Sequence, residues 1–126
     1  MNGYLRLSAN NVDKNLAIHD IYLNESFTDV TLVTDDGQHV KAHKVILASV
    51  SDVLRKMLEK FDGEPSSQSI FFIRGVKYQN LASLLDFIYK GEASVHFQML
   101  GDFMSLAKDL NVSGLFSCLN ISRENY

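Results

Sequence analysis

Between Phe27 and Phe61 the apolar residues change their period once, and that change limits what the chain can fold into. Phe27 to Thr34 is rich in Val, Thr and Leu, with Val30 and Leu32 on one face and Asp29, Thr31 and Val33 on the other, which predicts a strand. Asp36-Gly37 is a hairpin signal, because such a turn needs a positive φ that glycine adopts at little cost. Val40 and Ala42 then carry a return strand that ends near His43-Lys44. From Val45 the spacing becomes three and four, through Ile46, Leu47, Val50, Val53, Leu54, Met57, Leu58 and Phe61, which means helix. Ser51-Asp52 looks like a fresh N-cap in the middle, so two short helices are expected there. A hairpin running straight into helices predicts an α+β unit.

The flanks extend this pattern. Tyr4-Leu5-Arg6-Leu7 alternates as a short strand with no hairpin neighbour, so its backbone must pair elsewhere. A helix is expected from about Asn11 to Leu23, capped by Asn11 or Asp13, with Val12, Leu16, Ile18 and Leu23 as a partial apolar face. Asp62 to Ser69 holds Pro65, the chain's one proline, with Gly63 and three serines, and reads as a loop. Ile70-Phe71-Phe72-Ile73 is apolar on both faces and predicts a strand buried inside a sheet. Tyr78, Leu81, Leu84, Leu85 and Ile88 define a helix closed by Lys90-Gly91. A strand at Ala93 to Phe97, a helix through Leu100, Phe103, Ala107 and Leu110, and a last short helix at Leu115 to Ile121 complete the chain. There is no repeat or linker, so residues 1–126 are expected to form one domain with its core at about 4–120.

Composition narrows the function. A net charge of −3 argues against a domain that grips nucleic acid by itself. No apolar run approaches the ~20 residues that span a bilayer, and the start lacks a signal-peptide pattern. The lone Cys118 rules out an internal disulfide or a multi-cysteine zinc site and points to a reducing compartment. His39 and His43 share a face of the return strand near Asp35 and Asp36, but a closed zinc site wants four ligands; they read instead as one exposed histidine and one core histidine with its ring nitrogens satisfied. Ser49 or Ser51 with His43 and Asp29 would be a nucleophile set, yet no G-x-S-x-G elbow is present, and helical serines usually cap or pack. The seven glycines are scattered and form no phosphate loop. Nothing in the sequence argues for a catalytic residue, a metal or a cofactor.

Two features ask for a partner. Leu5, Leu7, Val12, Leu16 and Ile18 either complete the chain's own core or cover a surface on another molecule. Asp29 and Lys44, opposite charges at the near ends of two strands, are either a buried pair or a solvated one.

The string Phe27-Thr28-Asp29-Val30-Thr31-Leu32, then Gly37, then Lys41-Ala42-His43-Lys44-Val45-Ile46-Leu47-Ala48-Ser49-Val50-Ser51 resembles the signature of the BTB/POZ domain. Leu84 to Gly91, Leu106 to Leu110 and Gly114-Leu115 follow that family's order, so the resemblance covers about Tyr4 to Asn120. Tyr4 to Leu7 with Tyr89-Lys90-Gly91-Glu92 resembles the tramtrack-type subgroup of insect transcription factors, which usually carries tryptophan where this chain has Leu7.

The resemblance implies a small mixed sheet flanked by short helices, with the N-terminal strand and helix exchanged in a dimer. Tyr4, Leu5, Arg6, Leu7, Val12, Leu16 and Ile18 would then form an isologous interface. It implies that Asp29 and Lys44 form a buried charged pair beneath the dimer groove, and that Ala48, Ser49, Ser51, Asp52 and Arg55 line a corepressor-peptide groove. The implied role is homodimerisation, or higher assembly with itself or related BTB domains, within a longer nuclear transcription regulator whose DNA contacts lie outside this domain. The alternative is a substrate adaptor of a cullin-type ubiquitin ligase, although Phe61-Asp62-Gly63-Glu64 does not give the hydrophobic-x-Glu spacing of adaptors.

Overall fold

The computed structural model describes residues 3–8, 16–61 and 68–112. Its elements are β1 (Tyr4–Ser8), α1 (Leu16–Leu23), β2 (Val30–Val33), β3 (His39–Ala42), α2 (Lys44–Val50), α3 (Asp52–Phe61), β4 (Ser69–Phe72), α4 (Tyr78–Lys90), β5 (Glu92–His96), a 3₁₀ turn (Phe97–Met99) and α5 (Leu100–Leu110). The α+β class expected from the sequence is present.

β2 is the middle strand of a three-stranded sheet, antiparallel to β3 and parallel to β4. That position explains why Val30, Leu32 and Val33 are all buried, although they point to both faces. The parallel pairing needs a long crossover, which α2 and α3 supply. The β2–β3 turn departs from a two-residue hairpin: Gly37 has φ +80° while Asp36 does not go positive, and the Thr34 N–H donates to the Gln38 carbonyl at 2.9 Å. The Asp36 carboxylate accepts from the Thr34 hydroxyl at 2.6 Å and from the Tyr78 N–H at 3.0 Å, so the turn caps the distant α4. The Thr34 hydroxyl, ahead of the Tyr78 amide, holds the Asp36 carboxyl below its ordinary pKa, with slight burial opposing.

α4 is the central helix. Its Leu81, Leu84, Leu85, Phe87, Ile88 and Tyr89 are buried, and it packs against α1, β5 and α5. Gly91 ends it at φ +81°, its N–H donating to the Phe87 carbonyl at 2.9 Å. Ser51 separates α2 from α3 as expected: its hydroxyl accepts from the Leu54 N–H at 3.1 Å and donates to the Leu110 carbonyl of α5.

Two expectations are corrected. β4 is a sheet edge among the described residues, and Ile70 and Phe72 are 62% and 76% exposed, so the apolar run is not a strand buried on both faces. Phe71 and Ile73 pack on the core while no described layer covers the opposite face. The strand expected from Phe27 begins only at Val30, because the chain must first turn out of α1; Glu25 and Phe27 take φ of +53° and +62°, and Phe27 is 88% exposed. The loop core at 62–67, the caps Asn11 and Asp13, and the last helix at 115–121 lie outside the described residues.

Candidate functional site

β1 and β5 form a separate two-stranded antiparallel sheet, in register from Tyr4 opposite His96 to Ser8 opposite Glu92. The orphan strand thus pairs with β5 of the same chain. Alternation sends Leu5 and Leu7 inward, and Leu7 is 1% exposed within the main core. Tyr4 and Arg6 face outward: the Tyr4 ring meets His96 edge-on at 4.9 Å between centroids, and Arg6 bridges Glu92 at 3.1 Å. Ile18 of α1 packs half-buried on the core. Val12 and the side chain of Leu16 lie outside the described residues.

α1 is fastened through its C-terminal end. Tyr22 stacks on Tyr89 of α4, with centroids 4.3 Å apart and planes 17° apart. Tyr89 in turn accepts from the His43 backbone N–H at 3.0 Å and contacts His43 Nδ1 at 2.9 Å. The other ring nitrogen, Nε2, lies 2.6 Å from the Ser26 carbonyl, an acceptor that requires Nε2 to carry the proton. In the tautomer with the proton on Nε2 alone, Tyr89 donates to Nδ1, and both ring nitrogens of the buried His43 have partners. Glu25 and Phe27, both left-handed, flank the Ser26 carbonyl that His43 holds. Burial pushes both phenols up to about 12; for Tyr22 the charges of Asp86 and Tyr78 add to it, and for Tyr89 the His43 amide opposes it while Tyr22 and Asp29 add. The two candidate serine hydroxyls are committed elsewhere: Ser49 donates to the Ile46 carbonyl and Ser51 to the Leu110 carbonyl.

The Asp29 carboxylate meets the backbone of Lys44. The Lys44 N–H at the start of α2 donates to Asp29 Oδ1 at 2.8 Å, so the carboxylate caps that helix. Lys44 is 8% exposed and Asp29 is half-buried, which makes the site less dry than a fully buried ion pair.

The α2–α3 junction separates the expected groove residues. Ser49, Asp52 and Arg55 are exposed, with Asp52 and Arg55 bridged at 3.5 Å, and Ala48 is half-buried. Ser51 is 2% exposed and its hydroxyl is committed to the Leu54 amide and the Leu110 carbonyl, so it does not line a groove. Sequence reasoning missed Val45 and Val53, which are 75% and 42% exposed on the same helices. Their signal was the doubling of apolar pairs, Val45-Ile46 and Val53-Leu54, since one helix face buries only one of each adjacent pair.

A BTB/POZ domain family model matches residues 7–123. Among curated proteins the chain is 40% identical over 108 residues to the tramtrack protein, alpha isoform, of Drosophila melanogaster, an alignment covering 84% of this chain and 13% of that protein. It is 35% identical over 99 residues to the Broad-complex core protein of the same fly, covering 79% of this chain and again 13% of the relative. The chain therefore spans about an eighth of the length of these relatives. Among solved structures, the BTB domain of zebrafish PATZ1 superposes with a TM-score of 0.69 at 20% identity, covering 89% of each chain, which is a likeness of fold. No helix among the described residues is long and apolar enough to cross a membrane.

Proposed function

Because the chain belongs to the BTB/POZ domain family, we propose that it is the self-associating, partner-recruiting domain of a nuclear transcription regulator. The observation that carries this reading is the construction of the β1–β5 sheet. Among the described residues β1 pairs with β5 alone, and it contributes Leu7 to the core. Exchange of such an element between two copies keeps every contact it makes and changes only which chain supplies it. The same five register pairs and the same Leu7 burial then hold two protomers together. Linking two protomers links the modules attached to them, which raises site occupancy without any new DNA contact by this domain.

The resemblance to tramtrack-type transcription factors supports the regulatory setting, and the exposed Ser49, Asp52 and Arg55, with Val45 and Val53 beside them, remain the surface for a corepressor peptide. Light scattering tests the assembly. The expected mass is at least twice 14.2 kDa, and removal of residues 1–7 should lower it. A monomer at micromolar concentration overturns self-association, and an unchanged mass with unchanged stability after the deletion overturns strand exchange.

A further inference from the structure

A second site lies away from the α2–α3 junction. The first turns of α4, the β5 strand and the 3₁₀ turn line a cleft of about 410 Å³, to which β1 contributes Tyr4. That volume falls within the ~300–1,000 Å³ of typical ligand pockets. One wall is tied to the other by the Ser83 hydroxyl, which donates to the Ser94 carbonyl at 3.1 Å. His96 Nδ1 is occupied as well, accepting from the Gln98 N–H at 3.1 Å. Asn80 differs from both. It lines the cleft at 4% exposure, and among the described residues its carboxamide has no hydrogen-bond partner.

A buried carboxamide without partners is costly, so its presence calls for an external group. The rest of the lining says which. Neither an Asp, Glu, Lys nor Arg is among the cleft's described residues; its rim has the carboxamides of Gln79 and Gln98, and its apolar surface comes from Val95, Met99 and the Tyr78 ring. A charged ligand would lose its hydration there with no opposite charge in return. A carboxamide presents an acceptor beside a donor, the complement of a peptide group's own N–H and C=O. The cleft opens to solvent, so an extended segment can lie in it.

We propose that this cleft binds a short, uncharged, extended peptide segment of another protein, with Asn80 reading one peptide group. The site goes beyond self-association and needs only that β1 lie on β5, whichever copy supplies it. The test titrates the ¹⁵N-labelled chain with N-acetyl-trialanine methylamide, with acetate and methylammonium as charged controls. Saturable shifts are expected at Gln79, the Asn80 carboxamide, Val95 and Gln98 with the peptide, and none with the ions. Asn80→Leu should weaken binding by about tenfold or more while the melting temperature stays level or rises, since an unpaired buried amide has been removed. Gln98→Trp, an exposed rim change that narrows the mouth, should weaken binding as well and serves if Asn80→Leu does not fold. Shifts that never saturate, equal saturation by the ions, or full affinity in a folded Asn80→Leu or in Gln98→Trp each overturn the proposal. So does a lowered melting temperature in Asn80→Leu with the peptide still bound, which marks the amide as structural.

Discussion

β1 and β4 are both short strands held, among the described residues, by a single neighbour, yet they finish their sheets in opposite ways. β1 turns its leucines inward and shows Tyr4 and Arg6 to solvent, with Arg6 tied to Glu92. β4 turns Phe71 inward and shows Ile70 and Phe72. An edge that carries a charge resists further pairing, and one that carries only apolar side chains does not. Strand pattern is shared by the two; what lies over each face decides the energy stored in it.

The sharpest break between them is a truncation in each. Leu7→Ala removes a side chain that is 1% exposed in the core and should cost about 2–5 kcal/mol, measured by urea unfolding. If the strand is exchanged, that cost also varies with protein concentration, because unfolding then separates two chains. A loss below about 1 kcal/mol would mean that β1 is not part of the cooperative core.

Next in size is the fastening of α1. Tyr89→Phe keeps the ring stacked on Tyr22 but deletes the hydroxyl that serves the His43 N–H and Nδ1. Leaving those buried groups unpaired should cost about 1–3 kcal/mol. A variant as stable as the parent would show that water replaces the hydroxyl, and that His43 is less enclosed than its contacts imply.

Alkali probes the same pair without mutation. Both phenols are raised from 10.0 to about 12 in the folded chain, so between those values the unfolded chain loses protons that the folded chain keeps. Their contribution is complete below pH 10 and is lost as the pH rises towards 12. Absorbance at the tyrosinate band should lag for Tyr22 and Tyr89 until unfolding. Complete ionisation near the ordinary phenol value, with the fold intact by circular dichroism, would contradict the burial of the two phenols.

The same contrast explains what the sequence could reveal. Ser51 as a cap, Gly91 as a helix stop and a satisfied core histidine in the pair His39 and His43 were legible because each depends on local spacing or on chemistry that has few solutions. The exposure of Phe72 was not, since an apolar run reports residue type and says nothing of whether a second layer exists to cover it. The capping of α4 by Asp36 was hidden for a related reason: the carboxylate and the Tyr78 amide are 42 residues apart and meet only in three dimensions. Asn80 was equally silent, because one asparagine in a helix's first turn normally faces water.

Smaller still is the tie on the outer face of β1. Arg6 and Glu92 are 70% and 38% exposed, so a double-mutant cycle with alanine at each should give a coupling of about 0.2–1 kcal/mol that fades in high salt. A coupling well above that range, unaffected by salt, would place the pair beneath another surface in solution.

Phe72→Thr should have the least effect of all, and for that reason it tests the comparison most directly. The side chain is 76% exposed on the outer face of β4, opposite Val33 of β2, and threonine keeps the β preference of the position. Removing exposed apolar surface withdraws little that folding had buried, so stability should stay within about 0.5 kcal/mol of the parent. Leu7→Ala and Phe72→Thr then differ by several-fold in cost, although both residues sit on short strands that have, among the described residues, a single neighbour. A Phe72→Thr loss of about 2 kcal/mol or more would reverse the distinction, because only a covered ring can lose that much. The two edges would then be equivalent, each completed by a surface laid over it, and β4 would be as much a joint as β1.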